Sequence, residues 1–464
     1  MKRLLLLTVA CMIFLSACSK SAEGKITFTV SHTYDYFRAA AKQYNKSAAI
    51  PVEMVNFDLV VSSTVQRTEG SAFSANLPSE ADDESVWIDL PFENYLKAIN
   101  TGLMSGEGFD IIDMSGVEYY KYVNKDMLVN FDDLIANDPI FNIDEYDTKI
   151  LDLYRSENGL FVMPLSYNHT CWAVDNALLK ELNIIIDDET WTWNDILPIA
   201  EKMAQAREAG LTGKYPFTNT VGFIPSAAIF SKANGMFGYF IDEESKTARF
   251  STREFIDFLE LFQTLGGERY VHPSTEIGRG GYYSTIEDGF FAFCYLKNYD
   301  MRAFKDRFQE YRLLKRPSIA EGYEQPAFLS GRIYAINKNS PHIEEAWQFI
   351  KILLSKEMQD TIGRSGANTY RGFPVRLDSK SGLAAYMEEL NKRDEIWNSY
   401  KSRIEQSDID YIDRYIAGLN AATHSDYNLS TMVRMEADKY FSGKKSAQDV
   451  AQTIQDKVEV YLGE

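Results

Sequence analysis

The sequence predicts an α/β fold, and its 464 residues suffice for two or three domain-sized units. Three observations support this. Ile26, Phe28 and Val30 alternate with polar residues, the period-two pattern of a half-buried strand over 25–30. Phe37, Ala40, Ala41 and Tyr44 then recur at helical spacing, and 51–57 reads as a second strand. Strand, helix, strand in that order opens a parallel sheet. Hydrophobic residues make up 45% of the chain and aromatics 13%, a composition that buries a core and excludes a disordered tail.

Ahead of the first strand, Lys2 and Arg3 precede a short apolar run from Leu4, and small residues Ser16 and Ala17 close it. Those are the parts of a secretory signal peptide over 1–17. The run is too short for a membrane span of ~20 residues. Leu15-Ser16-Ala17-Cys18 resembles the lipobox of bacterial lipoproteins, in which the Cys thiol is diacylated and becomes the first residue after cleavage. An ordinary signal peptide with a chance cysteine is the alternative. Residues 18–24 are small and polar and read as a lipidated tether. The expected location is therefore extracytoplasmic, anchored to the cell membrane by lipidated Cys18. Losing Lys2 and Arg3 with the signal takes the formal charge from −19 to −21. Such a surface repels nucleic acid and anionic headgroups, so the lipid has to hold the protein at the membrane.

Further along, 62–83 is rich in Ser, Thr, Glu, Asp and Ala without periodicity, and reads as a surface insertion. Phe92, Tyr95, Leu96 and Ile99 mark a helix that Gly106-Glu107-Gly108 ends; a strand over 109–114 and a helix over 117–122 follow. Three later helix starts are marked. Thr192-Trp193-Asn194-Asp195 is a capping box, with Ile196, Leu197, Ala200 and Met203 facing inward. Ser340-Pro341 sets a cap before a first-turn proline, with Ala346, Trp347, Ile350, Leu353 and Leu354 as the buried stripe. Ser446-Ala447-Gln448-Asp449 is a second capping box, ahead of Val450, Ile454, Val458 and Tyr461.

Enzyme signatures are missing. The chain has no Gly-x-x-x-x-Gly-Lys phosphate loop, no Gly-x-Ser-x-Gly elbow and no His-Glu-x-x-His pair. Carboxylates are too abundant for a glycosidase pair to stand out. Beyond the signal and Cys18, the remaining cysteines are Cys171 and Cys294, which form either one disulfide or two buried thiols. Two cysteines alone do not make a zinc site. No catalysis, metal or cofactor is expected.

Four segments in order resemble the extracellular solute-binding proteins of ABC importers, the group that includes maltose-binding protein. Residues 106–114, Gly-Glu-Gly-Phe-Asp-Ile-Ile-Asp-Met, resemble that family's Gly-x-x-Pro-Asp-hydrophobic segment, with Phe109 in place of Pro. Residues 159–165, Gly-Leu-Phe-Val-Met-Pro-Leu, resemble its crossing into a second lobe; they lead to Val174-Asp175-Asn176, where the family has Tyr-Asn-Lys, and to Thr192-Trp193. Gly289-Phe290-Phe291-Ala292-Phe293 resembles its Gly-x-x-Ala-Met strand, and 331–337, the Ala346–Ile350 stretch (346–350) and Phe373-Pro374-Val375-Arg376 its C-terminal part. The resemblance implies a two-lobe periplasmic-binding-protein-like fold with discontinuous lobes and a central ligand cleft. It implies lobe 1 over 25–163, lobe 2 over 164–310, a return to lobe 1 over 311–337, and lobe 2 with C-terminal helices over 338–464.

It further implies capture of a carbohydrate, an oligosaccharide by expectation, and delivery to ABC transporter permease subunits by a monomer. A ligand-sensing lipoprotein serving a membrane sensor kinase would share the fold, and a carbohydrate-active hydrolase is the remaining alternative. Sugar recognition needs aromatic faces to stack on ring C–H faces and planar polar groups to bind hydroxyls. At loops leaving the expected strands, and where the family contacts its ligand, this chain carries His32, Tyr34, Met114, Ser115, Tyr167, Asn168, Phe223, Tyr295, Gly331, Arg332, Tyr370 and Arg371. Trp193 and Trp347 lie on apolar helix faces and are assigned to the core; Trp172 fits either role.

Overall fold

The computed structural model describes residues 24–30, 35–56, 90–217, 237–242, 245–272, 289–296, 304–308, 310–323, 328–362, 372–380, 391–392, 402–418 and 427–463. The insertion expected at 62–83 and the signal and tether up to residue 23 lie outside them. The main strands are β1 (Ile26–Val30), β2 (Val52–Asn56), β3 (Ile111–Asp113), β4 (Met163–Asp175), β5 (Phe291–Leu296), β6 (Tyr311–Leu314), β7 (Phe328–Ile336) and β8 (Phe373–Pro374). The helices that matter below are α1 (Asp35–Tyr44), α2 (Leu90–Met104), α3 (Trp193–Glu208), α4 (Arg253–Leu265), α5 (Ile343–Leu353), α6 (Gln406–Ala417), α7 (Tyr427–Phe441) and α8 (Ala447–Gly463).

The chain divides into two compact units, each discontinuous: Met1–Tyr167 with Gly331–Ser381, and Asn168–Ser330 with Gly382–Glu464. The first two of the three boundaries thus fall inside the long strands β4 and β7. The two-unit division agrees with the expectation from sequence; the first crossing, expected between 163 and 164, falls between 167 and 168, and the later boundaries differ further. Residues 311–330 were expected in the first unit and belong to the second. The reason is pairing: β6 runs antiparallel to β4, Tyr311 opposite Asp175 and Leu314 opposite Trp172. Trp193 N–H also donates to Ser318 O at 3.0 Å. Conversely, 338–381 belongs to the first unit because α5 lays its apolar stripe on β1 and α1. Phe349 packs on Phe28 at 5.1 Å and on Tyr44 at 5.5 Å.

In the first unit the strand order is β2-β1-β3-β7; β1 is parallel to β2 and β3, and β7 is antiparallel to β3. β1 is buried on both faces, not one as the alternation suggests. Its polar residues are satisfied internally: Asp110 accepts from Thr27 N–H and Thr27 Oγ1, both at 2.7 Å, and Thr29 Oγ1 accepts from Asp113 N–H at 2.7 Å. Phe28 sits at the centre, with Phe37 at 5.4 Å and Tyr334 at 5.0 Å. The α5 start also differs from expectation. Ser340 does not cap it; the helix begins after His342, and Ser340 Oγ donates to the buried Asp110 at 2.6 Å.

The second unit places β4 between β5 and β6. Trp172 is 1% exposed and meets Trp191, Trp193 and Phe291 edge-on at 5.7, 5.5 and 5.0 Å. All three tryptophans are therefore core residues. α3 carries the expected capping box, Thr192 N–H donating to Asp195 at 2.7 Å. At the start of α8, Asp449 N–H donates to Ser446 Oγ at 3.1 Å and Ser446 Oγ donates to the Asp449 carboxylate at 2.6 Å. Gln455 on α8 then accepts from Phe250 N–H at 2.6 Å and donates to Ala248 O at 2.8 Å, binding the C-terminal helix to the segment before α4.

Glu436 on α7 is 1% exposed, 2.9 Å from Lys439, and ion-paired with Lys457 of α8. Burial alone would raise its carboxyl pKa; Lys439 and Lys457 outweigh burial and hold it below the ordinary value. A depressed folded-state value contributes stability that is fully present above the unfolded carboxylate range and is lost as pH falls through the folded value. Glu436→Gln is therefore expected to remove part of the acid-side fall in stability. Urea midpoints between pH 3 and pH 7 check this; parallel pH profiles for variant and wild type would refute it.

Candidate functional site

The end of β3 is where the sequence placed ligand contacts, and it is built as a rigid polar corner. Asp113 closes β3, and Gly116 follows with φ +78, a left-handed turn that glycine adopts without strain. Asp113 Oδ1 accepts from Ser115 N–H at 2.9 Å, and its Oδ2 accepts from Arg332 Nη1 at 2.8 Å. Ser115 Oγ accepts from Ile333 N–H at 3.1 Å, and Met114 N–H donates to Ile333 O at 2.9 Å. The start of the first-unit part of β7 is thereby fastened to the carboxyl end of β3. Beneath it, Tyr95 of α2 donates to Asp113 O at 2.8 Å. Burial, reinforced by the Asp113 charge, holds that phenol pKa well above its ordinary value, so it stays a donor.

The Asp113 side chain is 2% exposed and the Arg332 side chain 17%. The carboxylate is thus committed to orienting the guanidinium, which retains some surface. Ser115 is half-buried beside it, whereas Met114 is fully buried and offers only backbone. Sequence reading singles out Ser115 and Arg332 separately. Their link through Asp113 spans 219 positions and has no local signature.

On β4, Tyr167 is 2% exposed and stacks on Phe373 at 5.7 Å, its strand partner in β8. The next residue, Asn168, opens the second unit and is half-buried; its Oδ1 is buried and has no hydrogen-bond partner among the described residues. A buried amide oxygen without a partner costs free energy, which a water or a ligand at that atom would recover. Gly331 begins the return of the chain to the first unit. Tyr295 lies on β5 opposite Thr170, a backbone position only. His32, Tyr34, Phe223, Tyr370, Arg371 and the lipidation candidate Cys18 lie outside the described residues.

A separate groove of about 920 Å³ lies in the second unit at the start of α3, lined by Trp191, Thr192, Asp195, Ser318 and Tyr323. No residue expected to touch ligand lines it, and Thr192 and Asp195 are engaged in the helix cap. Among the described residues, no group of His, Cys, Asp and Glu is placed to hold a metal ion, and no helix is long and apolar enough to cross a membrane.

A two-unit α/β chain, each unit assembled from separate stretches and one carrying a fixed polar corner at a strand end, is the design of a binding protein for small solutes. The family model for bacterial extracellular solute-binding proteins matches residues 88–382, more than half of the chain, and the protein belongs to that family. The family is one of extracellular binding proteins. Solved structures with the same two-lobed fold align over nearly the whole chain. An ABC substrate-binding protein of Listeria monocytogenes in complex with cycloalternan is 13% identical, with 95% of this chain and 99% of that one covered at a TM-score of 0.58. The sugar-binding protein MalE of Xanthomonas citri is 13% identical, covering 95% and 97% at 0.59. A sugar transporter protein of Bacillus licheniformis in complex with stachyose is 11% identical, covering 94% and 99% at 0.56. At these identities the likeness establishes the fold. A sequence comparison with curated proteins returns no match.

Proposed function

We propose that this solute-binding protein captures a carbohydrate, specifically an oligosaccharide, outside the cytoplasm and delivers it to the permease subunits of an ABC transporter. The observation that carries this reading is the whole-length likeness to proteins of the same fold whose structures hold cycloalternan and stachyose. The chemistry of the candidate residues supports it. Arg332 supplies a planar donor, Ser115 a hydroxyl, Asn168 an amide with an unused acceptor, and Tyr295, Tyr370 and Arg371 add aromatic faces and a further planar cation. That mixture suits a polyhydroxy ligand. A chain of net charge −19 does not draw anions toward it. The protein acts as a monomer, held at the membrane by lipid on Cys18, and releases its ligand chemically unchanged.

A thermal-shift screen across mono- and oligosaccharides, amino acids and anions tests the reading, because a ligand that binds only the folded state raises the midpoint. A rise with oligosaccharides is expected. A rise confined to a non-sugar solute would overturn the carbohydrate assignment and leave the family intact. Recovery of the oligosaccharide intact after incubation separates binding from hydrolysis.

Within this reading, Asn168→Ala is expected to weaken ligand binding by about tenfold, the loss of one buried hydrogen bond of ~1–1.5 kcal/mol. It is expected to leave the unliganded unfolding midpoint unchanged, since Oδ1 has no partner among the described residues to lose. Calorimetric titration and melting of the same variant decide it: unchanged affinity removes Asn168 from the site.

A further inference from the structure

β4 and β5 set two cysteines directly opposite each other. Cys171 is the register partner of Cys294, inside an antiparallel ladder that runs from His169 opposite Leu296 to Val174 opposite Phe291. Opposed residues in such a ladder have Cα atoms about 4.5 or 5.5 Å apart, depending on their place in the hydrogen-bond alternation. Both values lie within the roughly 4.4–6.8 Å that a disulfide spans. Side chains at opposed positions of an antiparallel pair leave the same face of the sheet. Cys171 is 0% exposed.

Chain arithmetic strengthens the juxtaposition. The sequence has four cysteines; Cys11 falls in the signal peptide and Cys18 is the lipidation candidate. The other two have only each other as intrachain partners. They also fold outside the cytoplasm, where disulfides form and persist.

We propose that Cys171 and Cys294 form a cross-strand disulfide in the exported protein. The oxidant is a protein or small-molecule disulfide of that compartment. The thiolate of one cysteine attacks it, forming a mixed disulfide and releasing one oxidant thiol. The second cysteine thiolate then attacks the mixed disulfide at the first cysteine's sulfur and releases the other oxidant thiol. Two protein thiols have lost two electrons and two protons, and one oxidant disulfide has become two thiols. Because Cys171 is buried in the folded unit, the exchange occurs during folding, before the β4–β5 pair closes. This site is independent of which solute is bound and requires only export.

The test uses the full-length protein expressed with its own signal and purified without reductant. Thiols are titrated in denaturant before and after dithiothreitol, and the intact protein is digested for mass mapping. The expected result is no reactive thiol before reduction, two after, and a Cys171 peptide joined to a Cys294 peptide. Reduction is expected to lower the unfolding midpoint, and Cys171→Ser to expose one new titratable thiol. Two thiols reacting without reductant, or either cysteine mapped in a bond to another molecule, overturn the proposal. Peptide mapping of the unaltered protein separates these outcomes even if the serine variant does not fold.

Discussion

Replacing Gln359 by Leu is expected to destabilise the first unit by about 3 kcal/mol or more, although the two side chains are close in volume. Gln359 is 0% exposed and ends a single helical turn, Lys356–Gln359. Its Nε2 donates to Leu165 O and Leu353 O, both at 3.1 Å, and lies 3.3 Å from the Tyr36 hydroxyl. Its Oε1 accepts from Val375 N–H at 3.0 Å and Arg376 N–H at 3.3 Å. One amide thus joins α1, β4, the end of α5 and the segment after β8. Leu keeps the packing and removes every bond. Of the orphaned groups, Leu165 O and Val375 N–H are buried and Arg376 N–H partly so; a buried one costs about 1–3 kcal/mol when left without a partner. Leu353 O keeps the Tyr36 hydroxyl, so the loss falls mainly on Leu165 O, Val375 N–H and Arg376 N–H. Urea unfolding of the purified variant measures it, and a loss below 1 kcal/mol would mean that water or local relaxation satisfies those groups.

Nothing in the local sequence around Gln359 announces this role, and the reason is general to the chain. What is legible is whatever a local pattern encodes. The opening strands fall within a residue of Ile26–Val30 and Val52–Asn56, and the helical spacing from Phe37 to Tyr44 lies inside Asp35–Tyr44, because periodicity depends only on neighbours. The capping box at Thr192 and the cap at Ser446 are legible for the same reason. Ser340 misleads because its hydroxyl accepts from His342 N–H at 3.0 Å and donates to Asp110, fixing the turn before a helix that starts only after His342. The alternation in β1 suggests one wet face, whereas Thr27 and Thr29 are buried with partners 83 and 84 positions away. The later unit boundaries fail likewise: nothing local to residues 311–314 says which strand they join. In the candidate site, Ser115 and Arg332 are found singly through the family pattern, while nothing local says which way Asp113, which couples them, faces.

Cys18→Ala is expected to abolish acylation and release nearly all of the protein from the membrane fraction. The motivation is the segment Leu15-Ser16-Ala17-Cys18 behind a short apolar run, whose cysteine thiol is the only atom of that motif able to carry the lipid as a thioether. The charge of the exported chain, −21 once Lys2 and Arg3 are removed, disfavours approach to anionic headgroups, and no helix among the described residues is long and apolar enough to span a bilayer. A single acyl chain binds a bilayer only reversibly, whereas two or more hold firmly, so the change from a diacylated cysteine to alanine is close to all-or-none. Labelling with a palmitate analogue, followed by separation of membranes and a high-salt wash, reads both effects. The wild type should carry label and sediment with membranes; the variant should carry none. Because an uncut signal segment can hold a chain at the membrane by itself, the N-terminus of the variant is determined by mass in the same experiment. Label retained by the variant, or absent from the wild type, would show that Cys18 is not the lipidation site and that the protein is exported by an ordinary signal peptide.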